Sequence, residues 1–125
     1  MGYYLYRDEG MSLFEAEALV EGQQIEVEDH LERNRHRDWF ASSPQRELKR
    51  LLVLKELVEA GACVIRYGGG YAIIKGHDRI FSFSLLKQKW QAINPDQVTF
   101  KHAKRYRCKS PAQFVKKYVL EEDVD

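Results

Sequence analysis

The sequence predicts an α+β fold: a small antiparallel sheet of three to four strands in a helix-β-β-β-helix core, packed by helices. Apolar residues recur at helical spacing over residues 44–60. Three short β-type runs follow, separated by glycine-containing connections of hairpin length. The chain has 125 residues, 44% of them hydrophobic and 31% charged, which is typical of one globular domain.

The N-terminal part contains weaker signals. Ser12 and the glutamate three residues later have the spacing of a capping box, which predicts a helix over residues 13–20 that ends at Gly22. Residues 3–6 and 25–27 have the pattern of brief strands.

A strong helix signal occupies the middle of the chain. Ser43 is a good N-cap and Pro44 suits the first helical position, while Gly61 suits the end of a helix. We therefore predict a helix over residues 44–60.

Three predicted strands follow, over residues 63–67, 71–75 and 79–84. The connections Gly-Gly-Gly and Gly-His-Asp make them an antiparallel meander. Phe81 and Phe83 alternate with serines, which indicates one buried and one solvated face.

The rest of the chain predicts two helices and one strand. Ser84 is a possible cap for a helix extending to Ile93, and residues 98–102 have the composition of a strand. A second Ser-Pro pair, at Ser110, predicts a final helix that ends near residue 120.

The predicted order over residues 44–93 resembles that of the double-stranded-RNA-binding domain, an architecture that some toxin ribonucleases share. The resemblance covers less than half of the chain and rests on element order. Those ribonucleases present a histidine on the sheet where this chain has Tyr71, and the nearest histidine, His77, falls in the next turn. The basic helix start of the RNA-binding family is matched loosely, by Lys87 and Lys89. The chain is therefore not assigned to that family.

Charge is segregated along a chain whose net charge is only +1. Residues 1–43 carry four Lys/Arg against ten Asp/Glu, whereas residues 44–125 carry sixteen against nine. Such blocks indicate a partner surface or complementary faces within the molecule. We divide the single domain, residues 1–125, into an acidic part (1–43), a core (44–93), a basic segment (94–120) and an acidic tail (121–125).

The basic segment contains the main candidate site. Residues 101–117, KHAKRYRCKSPAQFVKK, hold seven Lys/Arg and no acid. Phosphate binding needs several cations in one footprint, and nearby aromatic rings can stack on bases. The predicted phosphate contacts are Lys101, Lys104, Arg105, Arg107, Lys109, Lys116 and Lys117; the predicted stacking residues are His102, Tyr106 and Phe114; and Arg66 and Tyr71, which flank the glycine triplet, are secondary contributors.

These features predict a non-enzymatic nucleic-acid-binding protein, for DNA or RNA. The alternative is a protein–protein interaction module that docks on an acidic surface: an adaptor, or an inhibitor of a nucleic-acid-processing complex, such as a phage or mobile element encodes. A third hypothesis is a small nuclease that uses His77, His102 or the polar cluster from Asp29 to His36.

The remaining expectations concern compartment and cofactors. Cys63 and Cys108 make neither a disulfide framework nor, alone, a zinc site, which favours reduced thiols in the cytoplasm. The flanking Arg107 and Lys109 are expected to lower the pKa of the Cys108 thiol. No apolar run approaches the length of a membrane span, the N-terminus lacks the pattern of a secretory signal, and no cofactor or metal motif is present.

Overall fold

A computed structural model describes residues 4–5, 10–33, 43–77, 79–86, 90–93 and 105–121. The helices are α1 (Leu13–Arg33), α2 (Ser43–Glu59) and the short α3 (Pro111–Phe114), which continues as a π-helical segment (Val115–Val119). The strands are β1 (Tyr4–Leu5), β2 (Cys63–Gly68), β3 (Tyr71–Lys75), β4 (Ile80–Ser84), β5 (Trp90–Ile93) and β6 (Arg105–Cys108).

The strands form one antiparallel sheet in chain order, from β1 at one edge to β6 at the other. Strands β2–β6 have four to six residues each, and the two-residue β1 is added at the edge of β2. The predicted α+β class is confirmed. The predicted strand number, three to four, is too low.

Helix α1 is longer than its sequence pattern predicts. The capping box forms as expected: the Ser12 hydroxyl accepts a hydrogen bond from the Glu15 backbone N–H at 3.1 Å, and the Glu15 carboxylate accepts one from the Ser12 N–H at 3.2 Å. However, the helix continues through Gly22 and through residues 25–27, which were predicted as a strand. A single glycine costs only about 1 kcal/mol in a helix interior, so it does not by itself end the helix.

Helix α2 is confirmed, one residue earlier at each end than predicted. Its C-terminus is closed by two hydrogen bonds, from the Ala62 N–H to the Leu57 carbonyl and from the Gly61 N–H to the Val58 carbonyl, both 3.0 Å. This is a Schellman motif, and it requires the left-handed φ of +109° that Gly61 adopts.

The β2–β3 hairpin also follows the sequence pattern. Gly69 and Gly70 form its two-residue turn with φ of +60° and +86°, the values of a type I′ turn. Strand β3 has its predicted bounds, and β4 starts one residue later than predicted.

The region after β4 differs from the prediction. Residues 90–93, predicted as the end of a helix, form β5, which pairs with β4 on one side and β6 on the other. A short apolar run cannot be identified as helix or strand from its periodicity alone. Here, pairing with a strand on each side stabilises the extended conformation. Strand β6 lies in the basic segment, where the sequence predicted no strand. The strand predicted at 98–102 lies outside the described residues.

The hydrophobic core lies between the sheet and the helices. Leu51, Leu54 and Leu57 of α2 pack in one cluster with Phe81 and Phe83 of β4. Ala16 and Val20 of α1 and Phe114 of α3 join the same cluster, and the Phe114 ring centroid lies 5.2 Å from that of Phe81 and 5.0 Å from that of Phe83. All three described helices therefore cover one face of the sheet, as in a two-layer fold.

Candidate functional site

The face of the sheet opposite the helices carries the candidate site. Residues paired across an antiparallel sheet point to the same side, so the register identifies this face. Arg66 pairs with Ile73, Ile73 with Ser82, Ser82 with Ile93, and Ile93 with Arg105. Leu5 of β1 continues this row beyond Arg66, so the two arginines stand on β2 and β6 with three strands between them.

A second row contributes an aromatic ring and a third arginine. Tyr71 pairs with Gly68 on one side and Ser84 on the other, and Arg107 pairs with Gln91. Together the two rows and the adjoining Lys75–Ile80 pair define the open face, formed by Arg66, Tyr71, Ile73, Lys75, Ile80, Ser82, Ser84, Ile93, Arg105 and Arg107.

Exposure differs between the border and the centre of the open face. Arg66, Lys75, Arg105 and Arg107 are exposed, and Tyr71 retains 38% of its accessible surface. At the centre, Ile73 and Ile93 are half-buried and the two serines are buried. The face therefore carries cations on β2, β3 and β6, whereas its residues on β4 and β5 are uncharged.

The charged residues that the structure describes on the open face have a single sign. Strands β2–β6 contain no aspartate or glutamate. Between residues 60 and 120 the chain holds twelve Lys/Arg against two acids, Asp78 and Asp96. Within strands β2–β6, the cations are therefore not interleaved with carboxylates.

The fold brings together residues that the sequence presented as two separate candidates. Arg66 and Tyr71 belong to the first hairpin, whereas Arg105 and Arg107 belong to the last strand. Sequence reasoning missed Lys75, although its position one residue after the buried Ile74 of an alternating strand is the signal that would have found it.

The structure places Tyr106 on the core face instead. The residue is 8% exposed, its ring centroid lies 5.0 Å from that of Phe81 and 5.2 Å from that of Tyr118, and its hydroxyl accepts a hydrogen bond from the Arg79 guanidinium at 2.9 Å. A ring enclosed in this way cannot stack on a base, so this placement contradicts the predicted contact.

The other residues of the predicted basic site are spread over different surfaces. Phe114 is fully buried, which rules out its predicted stacking role. Lys116 and Lys117 are exposed on the helical layer, where the Lys117 ammonium lies 5.2 Å from the Tyr118 ring centroid, and Lys109 is exposed where β6 ends. Lys101, Lys104 and His102 lie outside the described residues.

The Cys108 thiol differs from its expected state. Burial raises its pKa from 9.0 to about 11, against the opposing effects of a hydrogen bond with the Ser110 backbone and the charge of Lys117. The flanking Arg107 does not lower the pKa, because it lies on the opposite face of β6. Cys108 is a protonated, half-buried thiol at neutral pH.

The histidines and carboxylates proposed for catalysis or metal binding do not converge within the described residues. His77 is exposed in the β3–β4 connection, and Asp29 forms an exposed ion pair with Arg33 of 3.2 Å near the end of α1. No group of three or more His, Cys, Asp or Glu side chains that could hold a metal ion occurs in the described part of the chain. Within the same residues, no helix combines the length and apolarity needed to cross a membrane.

A cleft of about 490 Å³ separates α1 from α2. Its lining includes Glu26, Glu47 and Arg50, and the Arg50 guanidinium lies 3.2 Å from the Glu47 carboxylate. Two carboxylates beside one paired cation select no particular ligand charge, so the cleft is a weaker candidate than the open face.

Comparison of the chain with protein-family models, with curated proteins and with solved structures finds no match. Function must therefore be inferred from the residues of this chain.

Proposed function

We propose that the protein binds nucleic acid through the open face of its sheet. The observation that carries this proposal is the alignment of Arg66 and Arg105 in one cross-strand row, with Arg107 two residues along β6 and no carboxylate on strands β2–β6. Several cations in one footprint release counterions from a polyphosphate, which drives association.

Protection of an edge strand accounts for only part of this charge. Strand β6 is the last strand of the sheet, and charged side chains on an edge strand discourage pairing with other sheets. That explanation covers Arg105 and Arg107. It does not cover Arg66 and Lys75, which lie on β2 and β3 inside the sheet.

The test compares two triple variants with the same change in net charge. The face variant carries Arg66→Gln, Arg105→Gln and Arg107→Gln, and the control variant carries Arg46→Gln, Lys49→Gln and Lys116→Gln. The control residues are exposed on α2 and the π-helical segment. One of them, Lys116, belongs to the basic segment. Fluorescence anisotropy with labelled DNA and RNA, across a series of salt concentrations, measures the affinities.

We expect the face variant to lose at least roughly tenfold in affinity at low salt. The magnitude of the slope of log affinity against log salt should fall by about 2 to 3, since each lost phosphate contact contributes about 0.9 on B-DNA and about 0.7 on a single strand. The control variant should bind like the wild type. Equal losses in both variants would indicate attraction by net charge alone and would contradict a site on the open face.

The second candidate function is a protein–protein interaction module, an adaptor or an inhibitor of a nucleic-acid-processing complex of phage or mobile-element origin. Helix α1 favours it, because the helix carries seven Asp/Glu against one arginine. Phe14 and Ile25 are 80% and 66% exposed, and their spacing of eleven residues places them on one side of the helix. Such a surface suits a basic protein partner. Absence of binding to DNA and RNA at low salt would favour this function.

A further inference from the structure

The arrangement of charge on the open face bears on which form of nucleic acid it binds. Arg66 and Arg105 lie in one row with Ile73, Ser82 and Ile93 between them, and Leu5 of β1 continues the row beyond Arg66. Four strand spacings of about 4.8 Å separate the two arginines, a width of roughly 19 Å. Cations thus border a strip that is apolar or uncharged.

A double helix makes poor use of such a strip. Its base faces are stacked inside the duplex, and only phosphates and groove edges are accessible. Reading a groove requires an element that projects into it, whereas the centre of the open face is formed by buried Ser82 and Ser84. Against a duplex, the isoleucines of the strip would lose water beside phosphates without gaining apolar contact.

A single strand, in contrast, offers both phosphates and unstacked base faces. Base–aromatic stacking needs an exposed ring with space beside it. Tyr71 is 38% exposed, and its cross-strand neighbours are Gly68 and Ser84, whose side chains are absent or short. The exposed part of the ring is therefore available to a base, with arginines on the same face to hold the backbone.

We propose that the open face binds single-stranded nucleic acid in preference to duplex, with a base stacked on Tyr71 and phosphates at Arg66, Arg105 and Arg107. This inference rests on the proposed function and specifies its substrate class. The chemistry is common to DNA and RNA, since it uses base faces and phosphates.

The test measures the affinity of the full chain for a single-stranded oligonucleotide and for a hairpin duplex of matched phosphate number, in both DNA and RNA forms. Single strands should bind at least tenfold tighter than the duplexes. Tyr71→Ala should weaken single-strand binding by about five- to hundredfold, the range for loss of one stacked base. Tyr71→Phe should retain wild-type affinity because it keeps the ring.

Leu52→Ala is the matched control for removal of an exposed apolar side chain, because Leu52 is 45% exposed on α2, away from the open face. It should leave the affinity unchanged. Circular dichroism and the melting temperature identify any variant that fails to fold, and Tyr71→Leu then provides a second ring-removing substitution.

The outcomes separate this inference from the function on which it rests. Equal affinity for both forms, unaffected by Tyr71→Ala but lowered in the triple arginine variant, would overturn the single-strand preference and leave nucleic-acid binding supported. Failure of every polymer to bind at low salt would overturn both proposals.

Discussion

At the scale of single residues, the spatial environment of a side chain can reverse what its sequence neighbours suggest. Cys108 lies between Arg107 and Lys109, yet its thiol pKa is about 11 because burial disfavours the thiolate. Alternation along β6 places Arg107 on the opposite face of the sheet. The rule that cations activate a neighbouring thiol applies to neighbours in space, and the sequence shows only neighbours in the chain.

This pKa shift predicts how stability depends on pH. The thiol ionises with a pKa near 9.0 in the unfolded chain and about 11 in the folded protein. The unfolded state therefore releases its proton first, and the stabilisation from this group, complete below pH 9, is lost as the pH rises to about 11. We expect the free energy of unfolding of the wild type to fall, over this range, relative to that of Cys108→Ser.

Urea denaturation of both proteins at several pH values between 8 and 11 measures this difference. Other groups that titrate in the same range, lysines and tyrosines, are common to both proteins and cancel in the comparison. A constant difference across the range would show that the thiol has the same pKa folded and unfolded.

At the scale of elements, local signals predict the structure well where the element is stabilised locally. Helix α2 has its Ser-Pro start and its Gly61 end, and the β2–β3 turn has the glycines that its positive φ angles require. Strands β5 and β6 have no such local signal. Their four residues each are stabilised by pairing with neighbours distant in the chain, so the sequence pattern suggested a helix for one and no element for the other.

Gly22 illustrates a local signal with the opposite meaning from the one predicted. It lies inside α1, and a Cβ added there would meet nothing within 4 Å. Gly22→Ala should therefore stabilise the protein by about 0.5–1 kcal/mol, because alanine loses less backbone entropy in a helix. Thermal and urea denaturation measure the change.

Gly61→Ala is the matched control. It makes the same chemical change at a residue with φ of +109°, and the new Cβ would lie 3.4 Å from a Leu120 methyl group. The substitution should destabilise the protein, since an L side chain is strained in this conformation. Destabilisation by Gly22→Ala would instead mean that α1 depends on a glycine at that position.

At the scale of the whole molecule, the acidic helix α1 and the arginines of the open face lie on opposite sides of the sheet. The sequence predicted that acidic and basic segments are separate, and it left open whether the acidic part covers the basic one. The described part of the acidic segment is mainly α1, which packs with α2 on the core side of the sheet. The arginines of the open face lie on the other side, because successive side chains of a strand point to opposite faces of the sheet. The face on which a strand residue lies depends on the bounds and the register of its strand. The charge pattern of the sequence contains neither.

This layout predicts that the carboxylates of α1 influence nucleic-acid binding only through their long-range field. Glu17, Glu21 and Glu28 are exposed on α1, and the sheet separates them from the open face. Converting all three to glutamine should strengthen binding at about 10 mM salt, where charges act over roughly 30 Å. The gain should disappear near 150 mM salt, where the screening length is about 8 Å.

Anisotropy titrations at these two salt concentrations measure the affinity. The deciding observation is whether the gain in affinity remains at the higher salt concentration. Substituting Gln24→Asn on the same helix, which changes no charge, controls for altered helix stability. A gain that remains at 150 mM salt would place the α1 carboxylates within about 8 Å of the bound phosphates. That result would contradict a site on the opposite face of the sheet, because the thickness of the sheet and its packed helix exceeds that distance.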